Sequence, residues 1–450
     1  MQCAVLARAY PNDTALPGTA AYAALNTYFA PGTTPTPHCI FVPRTTRAAA
    51  DGLAELTRRN TIFAIRSGGH AFNYGFASTS RGVVINLTQL SAVRYDPASG
   101  TAVIGPGATW GNVYRALQPH GVTVAGARAA DVGVGGYTTG GGISFLVYRE
   151  GFGADTVVAY EAVLADGRIV TATRHGPHAD LFRALKGSGA PFCLVTAFTF
   201  RTIRLPDPRG IYGGTLSSSA ASIGPTLDAI ADFTQPGAGT ADPSAHLINT
   251  IIMYSTNATA NATANATTTT GVGRLVANTF FYLTPEPTTP TVFRGLEAAA
   301  KKGGVLSSTL SAPRSFANLT GEPTPISDAT RSSIMPLAVR APTRAVMQAL
   351  HRIWDHEWAA LMELPATRRI PSLTPILLMM PLGRNVSSSA NVMGLDPGVE
   401  YLLFTPVTVW RRTADDAVVR RAMRSVYARC VAYLKSVGHY HPWMRVPLPY

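Results

Sequence analysis

The chain has 450 residues, 46% of them hydrophobic and 14% charged, and a formal net charge of +13 from 38 basic and 25 acidic side chains. This length and apolar fraction predict a globular protein of two or three domains with a sizeable core. The basic residues form no run of five or six interleaved with aromatics, and no apolar stretch reaches 18 residues, so we expect neither a nucleic-acid partner nor a membrane span.

N-glycosylation sequons favour the secretory route. The start of the chain, MQCAVLARAYPNDT, has no signal-peptide pattern, so we expect the leader to lie upstream of it. Chance would give about two or three N-x-S/T sequons, but the chain has more, which predicts a glycosylated surface and a secreted protein. The seven expected glycosylation sites are Asn12, Asn86, Asn257, Asn261, Asn265, Asn318 and Asn385.

The four cysteines are consistent with the same secretory route. None belongs to a C-x-x-C pair, which argues against zinc ribbons and thioredoxin chemistry. Cys3 and Cys39 flank a loop-rich segment that a disulfide would keep from fraying. Cys193 and Cys430 sit among apolar residues, and we expect them to be buried thiols.

Residues 36–206 mix short strands and brief helices in irregular order, which predicts an α+β domain. Helical spacing occurs in TRAAADGLAELTRRN, WGNVYRALQPHG and DLFRALKG, and the second of these ends at Gly121. Strands are predicted for TIFAIR, GVVINL, TAVIG and FCLVTAFTFRTI. TVVAYEAVLADGRIVTAT predicts a hairpin with Asp166-Gly167 as its tight turn.

PDPRG at 206–210 marks a domain boundary. Beyond it, RLVANTFFYL and VEYLLFTPVTVW predict strands, and an apolar stripe predicts a core-facing helix from about Ala414 to Val437. The repeat NATANATANATTTTGVG at 257–273 has no apolar residue larger than alanine before its terminal Val272 and predicts a surface loop. The predicted organisation is an N-terminal segment (1–35), a first domain (36–206) and a second domain (207–450).

Three glycine-rich turns lie within 80 residues of one another. They are R-S-G-G-H (66–70), G-P-G (105–107) and V-G-V-G-G-Y-T-T-G-G-G-I-S (132–144), each next to a predicted strand. Glycine lets backbone N–H groups approach a phosphate closely, so three converging turns predict a dinucleotide pyrophosphate site. Singly, each turn is equally well a tight bend in a twisted sheet.

Other chemical motifs are missing from the sequence. Thr138 stands where a Rossmann fingerprint starting at Gly133 needs its third glycine, and no P-loop, H-E-x-x-H or G-x-S-x-G occurs. His439 and His441 have no third ligand nearby in sequence, so we expect no metal site. Any dinucleotide must therefore bind to another scaffold.

In order along the chain, seven segments resemble the FAD-linked oxidases of the vanillyl-alcohol oxidase superfamily, with its PCMH-type FAD-binding domain. The resemblance is strongest to the fungal and plant berberine bridge enzyme-like branch, and the family's two N-terminal cysteines match Cys3 and Cys39. It covers residues 36–206 and is loose beyond them. The segments are FAIRSGGH, GVVINL, IGPGATWGNVYRAL, VGVGGYTTGGGIS, GFGADTVVAYEAVLADGRIV, DLFRALKGSG and FCLVTAFTF.

The resemblance implies a two-domain fold, with a second α+β substrate domain whose antiparallel sheet is covered by helices. It also implies FAD bound covalently through a ring nitrogen of His70. A second link is not expected, because Ala129 stands where some relatives have a cysteine. The residues implied to bind the cofactor are Arg66, Ser67, Gly68, Gly69, His70, Ala71, Gly133, Gly135, Gly140, Gly141, Gly142 and Val195.

The chain departs from the family pattern at several places. Arg183 replaces an aromatic residue, and G-S-G-A-P-F-C replaces G-G-G-x-N-F-G. Relatives also continue beyond the region of HPWMRVPLPY with a segment that closes the FAD domain, so we expect this substrate domain to lack that segment. The residue that would act as catalytic base is therefore not assigned.

The implied function is an FAD-dependent oxidoreductase that takes a hydride from a C–H bond of an alcohol, sugar or amine and passes the electrons to O2. The expected partners are a small-molecule substrate and O2, and the expected state is a monomer. Two alternatives remain open. One is a dehydrogenase with another acceptor, and the other is a non-catalytic glycoprotein of the same fold.

Overall fold

The computed structural model describes residues 2–30, 32, 34–72, 75–189, 191–255, 271–322, 331–364, 370, 372–386 and 391–443. The chain divides into two compact units. The first comprises Met1–Gly210, Arg314–Ser327 and Asn385–Leu395, and the second comprises Ile211–Pro313, Asp328–Arg384 and Asp396–Tyr450. The first unit thus includes the N-terminal segment and two later segments, whereas the sequence predicted a separate segment 1–35 and a first domain that ends at residue 206 with no later part of the chain in it. Composition does not reveal such returning segments, because a short loop has no pattern of its own that says where it docks.

Short helices and strands alternate irregularly up to residue 204, as the sequence predicted for an α+β chain. In chain order they are α1 (Gln2–Ala9), β1 (Thr14–Ala15), α2 (Ala20–Leu25), β2 (Cys39–Phe41), α3 (Thr46–Arg58), β3 (Phe63–Arg66), β4 (Val83–Asn86), β5 (Val93–Asp96), β6 (Thr101–Ile104), α4 (Trp110–Leu117), β7 (Val122–Thr123), α5 (Val134–Thr139), α6 (Val147–Glu150), β8 (Val157–Val163), β9 (Ile169–Thr173), α7 (Ala179–Ala184), β10 (Leu194–Arg201) and β11 (Ile203–Arg204).

A four-stranded sheet with the order β1-β2-β4-β3 positions the first glycine-rich turn. β2, β4 and β3 run parallel, and all four residues of β4 are buried. Helix α3 begins after Thr45, whose hydroxyl accepts a hydrogen bond from the amide of Ala48, and it buries Leu53 and Leu56 in the same core as β4. Since parallel strands end at the same edge, the loops that follow β3 and β4 lie side by side.

A five-stranded antiparallel sheet with the order β5-β6-β10-β8-β9 completes the main framework of the first unit. The β8–β9 hairpin is present, but its turn differs from the predicted Asp166-Gly167 pair. Leu164 accepts a hydrogen bond from the amide of Gly167 and donates one to the carbonyl of Arg168, and Gly167 has a φ of +85°. The turn is therefore a longer one with a single left-handed glycine at its end, a common alternative to the two-residue turn.

The second unit is built on a ten-stranded, largely antiparallel sheet with helices packed on it. Within the described ranges, no helix combines the length and the apolar character needed to cross a membrane. Helix α10 (Phe316–Thr320) belongs to the first unit, and the other elements from residue 211 onward are β12 (Ile211–Ser219), α8 (Ile223–Phe233), β13 (Ala245–Ser255), β14 (Val272–Tyr282), α9 (Arg294–Gly303), β15 (Val305–Ser308), β16 (Ser311–Arg314), β17 (Arg331–Ile334), β18 (Leu337–Arg340), α11 (Arg344–Met362), β19 (Thr374–Pro381), β20 (Tyr401–Trp410), α12 (Asp416–Ser436) and β21 (Tyr440–His441).

Helix α12 confirms the amphipathic stripe read from the sequence. Val419, Met423, Val426, Cys430 and Leu434 are all fully buried. The hydroxyl of Thr408 in β20 donates to the sulfur of Met423 at 3.3 Å, so this stripe faces the sheet. The local 3.6-residue period was sufficient to predict this packing, because burial of one helical face is the main source of helix stability in proteins.

Candidate functional site

The three glycine-rich turns meet at the hydroxyl group of Ser67. This hydroxyl donates to the carbonyl of Pro106 at 2.5 Å and accepts from the amide of Gly135 at 3.0 Å. Ser67 belongs to the turn after β3, Pro106 to the turn after β6, and Gly135 to the turn that begins α5. One side chain thus joins the three turns for which the sequence predicted a shared site.

Gly68 and Gly133 allow the first and third turns to touch through their backbones. A Cβ atom on Gly68 would lie 2.6 Å from the backbone nitrogen of Gly133, and one on Gly133 would lie 2.3 Å from the nitrogen of Gly68. Any side chain at either position would force the two turns apart, because real Cβ atoms do not approach backbone this closely.

The turn after β3 offers free hydrogen-bond donors. In the described part of the chain, the backbone N–H groups of Gly68, Gly69, His70 and Ala71 make no hydrogen bond with protein. Gly69 has a φ of +70°, which gives this stretch the local geometry of an anion-binding turn. Consecutive unpaired amides in a glycine-rich turn fit a phosphate group.

His70 is held on two sides. Its ring stacks on Phe29 with centroids 3.8 Å apart and an interplanar angle of 19°. Its Nε2 atom lies 3.2 Å from Oδ2 of Asp131, and this hydrogen bond is the main cause that lowers the pKa of Asp131. An ionised carboxylate can only accept, so Nε2 carries the proton. Nδ1 has no hydrogen-bond partner among the described residues and remains available as a nucleophile.

Arg66 anchors this turn to the N-terminal segment. Its guanidinium donates to the carbonyl groups of Leu25 and Thr27 and lies 4.2 Å from the centre of the Tyr28 ring. The side chain is buried, and burial lowers its pKa. Arg66 therefore fixes the turn after β3 and brings Phe29 to His70. Its positive charge is directed at carbonyl oxygens.

The third turn continues past α5 into three consecutive glycines. Gly140 ends the helix, and Gly141 and Gly142 have φ values of +99° and +77°. The ring of Tyr137 fills the space where a Cβ of Gly142 would lie, at 2.4 Å, and its hydroxyl donates to the carbonyl of Ala125 at 3.2 Å. These glycines are needed for a left-handed backbone packed against an aromatic ring.

A segment from late in the chain also reaches this turn. The methyl carbon of Met393 lies 2.8 Å from the position of a Cβ on Gly141. The side-chain amide of Asn391 donates to Oδ1 of Asp155 at 3.0 Å, which fixes the segment in place. Burial raises the pKa of the Asp155 carboxyl. No local signal in the sequence pointed to Asn391 or Met393, because their role depends only on where the segment returns.

Lys186 is buried and directly precedes, in the sequence, the segment that departs from the family pattern. Its ammonium group donates to the carbonyl of Val157 at 3.1 Å and lies 4.5 Å from the centre of the Phe182 ring. Burial lowers the pKa of Lys186 to about 8. Cys193 is also buried, which raises its pKa to about 11 and keeps it a neutral thiol.

Two further expectations about site residues can be compared with the structure. Val195 is buried on β10 opposite Ala162, in the five-stranded sheet, and its expected contact with the nucleotide stays a prediction. Among the described residues, no group of three or more His, Cys, Asp or Glu side chains is arranged to hold a metal ion.

The features expected of a secreted protein are found in part. Cys3 and Cys39 form a disulfide, and Cys193 and Cys430 are buried free thiols, as predicted. Asn12, Asn318 and Asn385 are exposed. Asn257, Asn261 and Asn265 lie outside the described residues.

The expectation of a glycan on Asn86 does not fit the structure. Asn86 has no exposed surface, since it is the last residue of a fully buried strand. Its side-chain oxygen accepts a hydrogen bond from the amide of Thr88 at 3.0 Å. A glycan at this position would have to replace packed core, so the sequon is a coincidence of residue types.

Comparisons with known proteins agree with this geometry. A model of the FAD binding domain matches residues 37–173. The FAD-dependent monooxygenase FUP4 of Fusarium proliferatum is 30% identical over 425 residues, covering 90% of this chain and 76% of that protein. The FAD-dependent monooxygenase prx3 of Penicillium roqueforti is 36% identical over 246 residues, covering 54% of this chain and 47% of the relative. The aligned part is thus about half the length of that relative.

A solved structure extends the likeness to the whole fold. The BBE-like 1 protein of Physcomitrella patens superposes with a TM-score of 0.71, covering 98% of this chain and 89% of that chain, at 16% sequence identity. At this identity the likeness concerns the fold. It includes the second unit, where the sequence alone gave only a loose match.

Proposed function

This chain belongs to the FAD-linked oxidoreductases with a PCMH-type FAD-binding domain, and we propose that it is of the berberine bridge enzyme-like branch and oxidises a small organic molecule with a flavin attached to His70. The supporting observation is the junction at Ser67. There the Ser67 hydroxyl joins three glycine-rich turns. The first of these turns carries four unpaired backbone N–H groups, and the ring of His70 in the same turn lies against Phe29 and is hydrogen-bonded to Asp131.

The residues present fit FAD. The unpaired amides of Gly68, Gly69, His70 and Ala71 would bind the pyrophosphate, whose negative charge needs donors more than it needs a counter-ion. The close approach of Gly68 and Gly133 keeps side chains out of that place. Nδ1 of His70 would form the single covalent link, because Nε2 is engaged by Asp131. Ala129 offers no second link.

When bound, FAD accepts a hydride equivalent from a substrate C–H bond and transfers the electrons onward, to O2 in an oxidase. The proposed substrate is an alcohol, a sugar or an amine, and the proposed base is a Tyr, Glu or His of the second unit. A covalent imidazole link withdraws electrons from the flavin and prevents loss of the cofactor, which suits an oxidase that works outside the cell.

Flavin attachment is tested on the purified protein. We expect a yellow protein whose denatured gel band fluoresces in acid, and a flavin-modified peptide that contains His70. The His70→Ala variant should lose the fluorescent band and keep some dissociable FAD, whereas the matched variant of an exposed histidine, His175→Ala, should behave as wild type. A wild-type His70 peptide that stays unmodified under ample FAD would remove the basis of the proposal.

The acceptor is tested separately with a panel of alcohols, sugars and amines. Release of one H2O2 per substrate oxidised supports the oxidase, and dye reduction without H2O2 indicates a dehydrogenase. The two fungal relatives are named as monooxygenases, so a further outcome is oxygen insertion, which incorporation of 18O from 18O2 into the product would reveal. A covalently flavinylated protein that turns over no member of a broad panel would favour the non-catalytic alternative.

A further inference from the structure

Asp131 is the only charged group that the described structure places in hydrogen-bond contact with the His70 ring. It directly precedes the V-G-V-G-G turn and so arrives from the third glycine-rich segment, whereas His70 ends the first. No local pattern singled out Asp131, since it lies 61 positions after His70 in the chain. The turns brought together by Ser67 also bring this carboxylate to the imidazole.

We propose that Asp131 is a positioning residue for flavin attachment, which holds the Nε2 proton of His70 so that Nδ1 is the attacking atom. This inference rests on the proposed function, because it concerns the link to His70. The contact of Nε2 with Oδ2 at 3.2 Å selects the tautomer, and the Phe29 ring at 3.8 Å fixes the plane of the imidazole. Neither residue needs to touch the flavin for this role.

Attachment forms a bond between Nδ1 and the 8α-methyl carbon of FAD and breaks one methyl C–H bond. The methyl hydrogen leaves as a proton and, after the bond has formed, so does the hydrogen on Nε2, while the electron pair of the broken C–H bond reduces the flavin, which takes up two protons. O2 is the oxidant that restores it, giving one H2O2 for each flavin attached. While Nε2 keeps its proton, the alkylated ring carries a positive charge. The carboxylate of Asp131 stabilises this charge at the stage where it appears.

The exposure of Asp131 limits the size of the effect. Its side chain is 61% exposed, whereas that of His70 is 19% exposed, so water screens part of the interaction. A charge-assisted hydrogen bond is roughly twice as strong as a neutral one. We therefore expect loss of the charge at Asp131 to slow attachment by about three- to tenfold, without preventing it.

The test uses full-length protein produced under riboflavin limitation and then supplied with FAD in air. Covalent flavin is followed as acid-stable fluorescence of the denatured band, and H2O2 release is measured in parallel. We expect Asp131→Asn to attach flavin about three- to tenfold more slowly than wild type and Asp131→Glu to recover most of the rate. Dissociable FAD should bind to both variants, and the attached flavin of Asp131→Asn should have a higher midpoint potential.

Asp166→Asn is the matched control, because it makes the same change at an exposed turn of the same unit. It should attach flavin at the wild-type rate. Equal rates and equal midpoint potentials for wild type and Asp131→Asn would overturn the role of Asp131 while leaving the His70 link intact. A wild-type protein that binds FAD without covalent attachment would instead overturn the link itself, and this inference with it.

Discussion

Gly68 and Gly133 lie so close together that each occupies the space a side chain on the other would need. The gaps are 2.6 Å and 2.3 Å from hypothetical Cβ atoms to the opposite backbone nitrogens. This contact sets how near the first and third glycine-rich turns can come. Because neither glycine has a side chain, the two turns can touch where we expect the flavin pyrophosphate to bind.

Gly133→Ala should lose both stability and flavin. The added methyl group meets backbone atoms, which cannot move aside as a flexible side chain would, so we expect a loss of about 1–3 kcal/mol in the free energy of unfolding. Urea denaturation followed by circular dichroism measures the loss, and absorbance after gel filtration measures the flavin retained.

Gly136→Ala is the control for Gly133→Ala. A Cβ at Gly136 would meet nothing within 4 Å, and the residue lies in α5 and is not among the glycines with a positive φ. Alanine here should be neutral or stabilise by about 0.5–1 kcal/mol. If the two variants behaved alike, the close approach of the turns would not be what the site depends on.

Lys186 should make stability depend on pH above neutrality. Burial lowers its pKa from 10.5 to about 8, so between these values the unfolded chain binds more protons than the folded chain. The cost of burying the ammonium is full below about pH 8 and disappears as the pH rises towards 10.5. Relative to Lys186→Met, wild type should therefore gain up to about 3 kcal/mol in unfolding free energy across that window.

The measurement is urea denaturation of wild type and Lys186→Met at several pH values. The difference between their free energies of unfolding is used, because the titrations of groups that both proteins share cancel in it. Lys302→Met, at an exposed position, should show a difference from wild type that does not change with pH. A flat difference for Lys186→Met as well would mean that the ammonium is not desolvated as its burial suggests.

Removing the disulfide should loosen the segment that brings Phe29 to His70. Cys3 and Cys39 are 36 residues apart, and closing a loop of that length in the unfolded chain is worth about 3–4 kcal/mol. The double variant Cys3→Ala/Cys39→Ala should therefore unfold at lower urea concentration. Wild type treated with dithiothreitol should approach the same midpoint, and the double variant should not respond. A midpoint unchanged by reduction would contradict this.

Glycan mapping should distinguish the described sequons. We expect occupancy at Asn12 and Asn318, which are exposed, and none at Asn86, which is fully buried. The check is secretion from a eukaryotic host, release of glycans by an amidase in H2 18O, and peptide mass spectrometry. An 18O label at Asn86 in folded protein would show that its strand is not buried during maturation.

The sequence alone determined the local structure and the type of site. Helix α3 and the buried stripe of α12 follow from 3.6-residue periodicity, and the glycine-rich turn before His70 carries the family resemblance. Each of these patterns is formed by residues that lie close together in the sequence. Even there, the β8–β9 turn took a different form, because several turn types accept the same Asp-Gly pair.

Only the tertiary structure decided which distant residues complete the site. Phe29 and Asp131 reach His70 because Arg66 fixes one segment and Ser67 joins another, and Met393 arrives on a segment that returns to the first unit. The burial that lowers the pKa of Lys186 and shields Asn86 is likewise a property of packing. Local patterns report what a residue prefers, whereas contacts across many residues depend on how whole elements pack, which no short stretch of sequence contains.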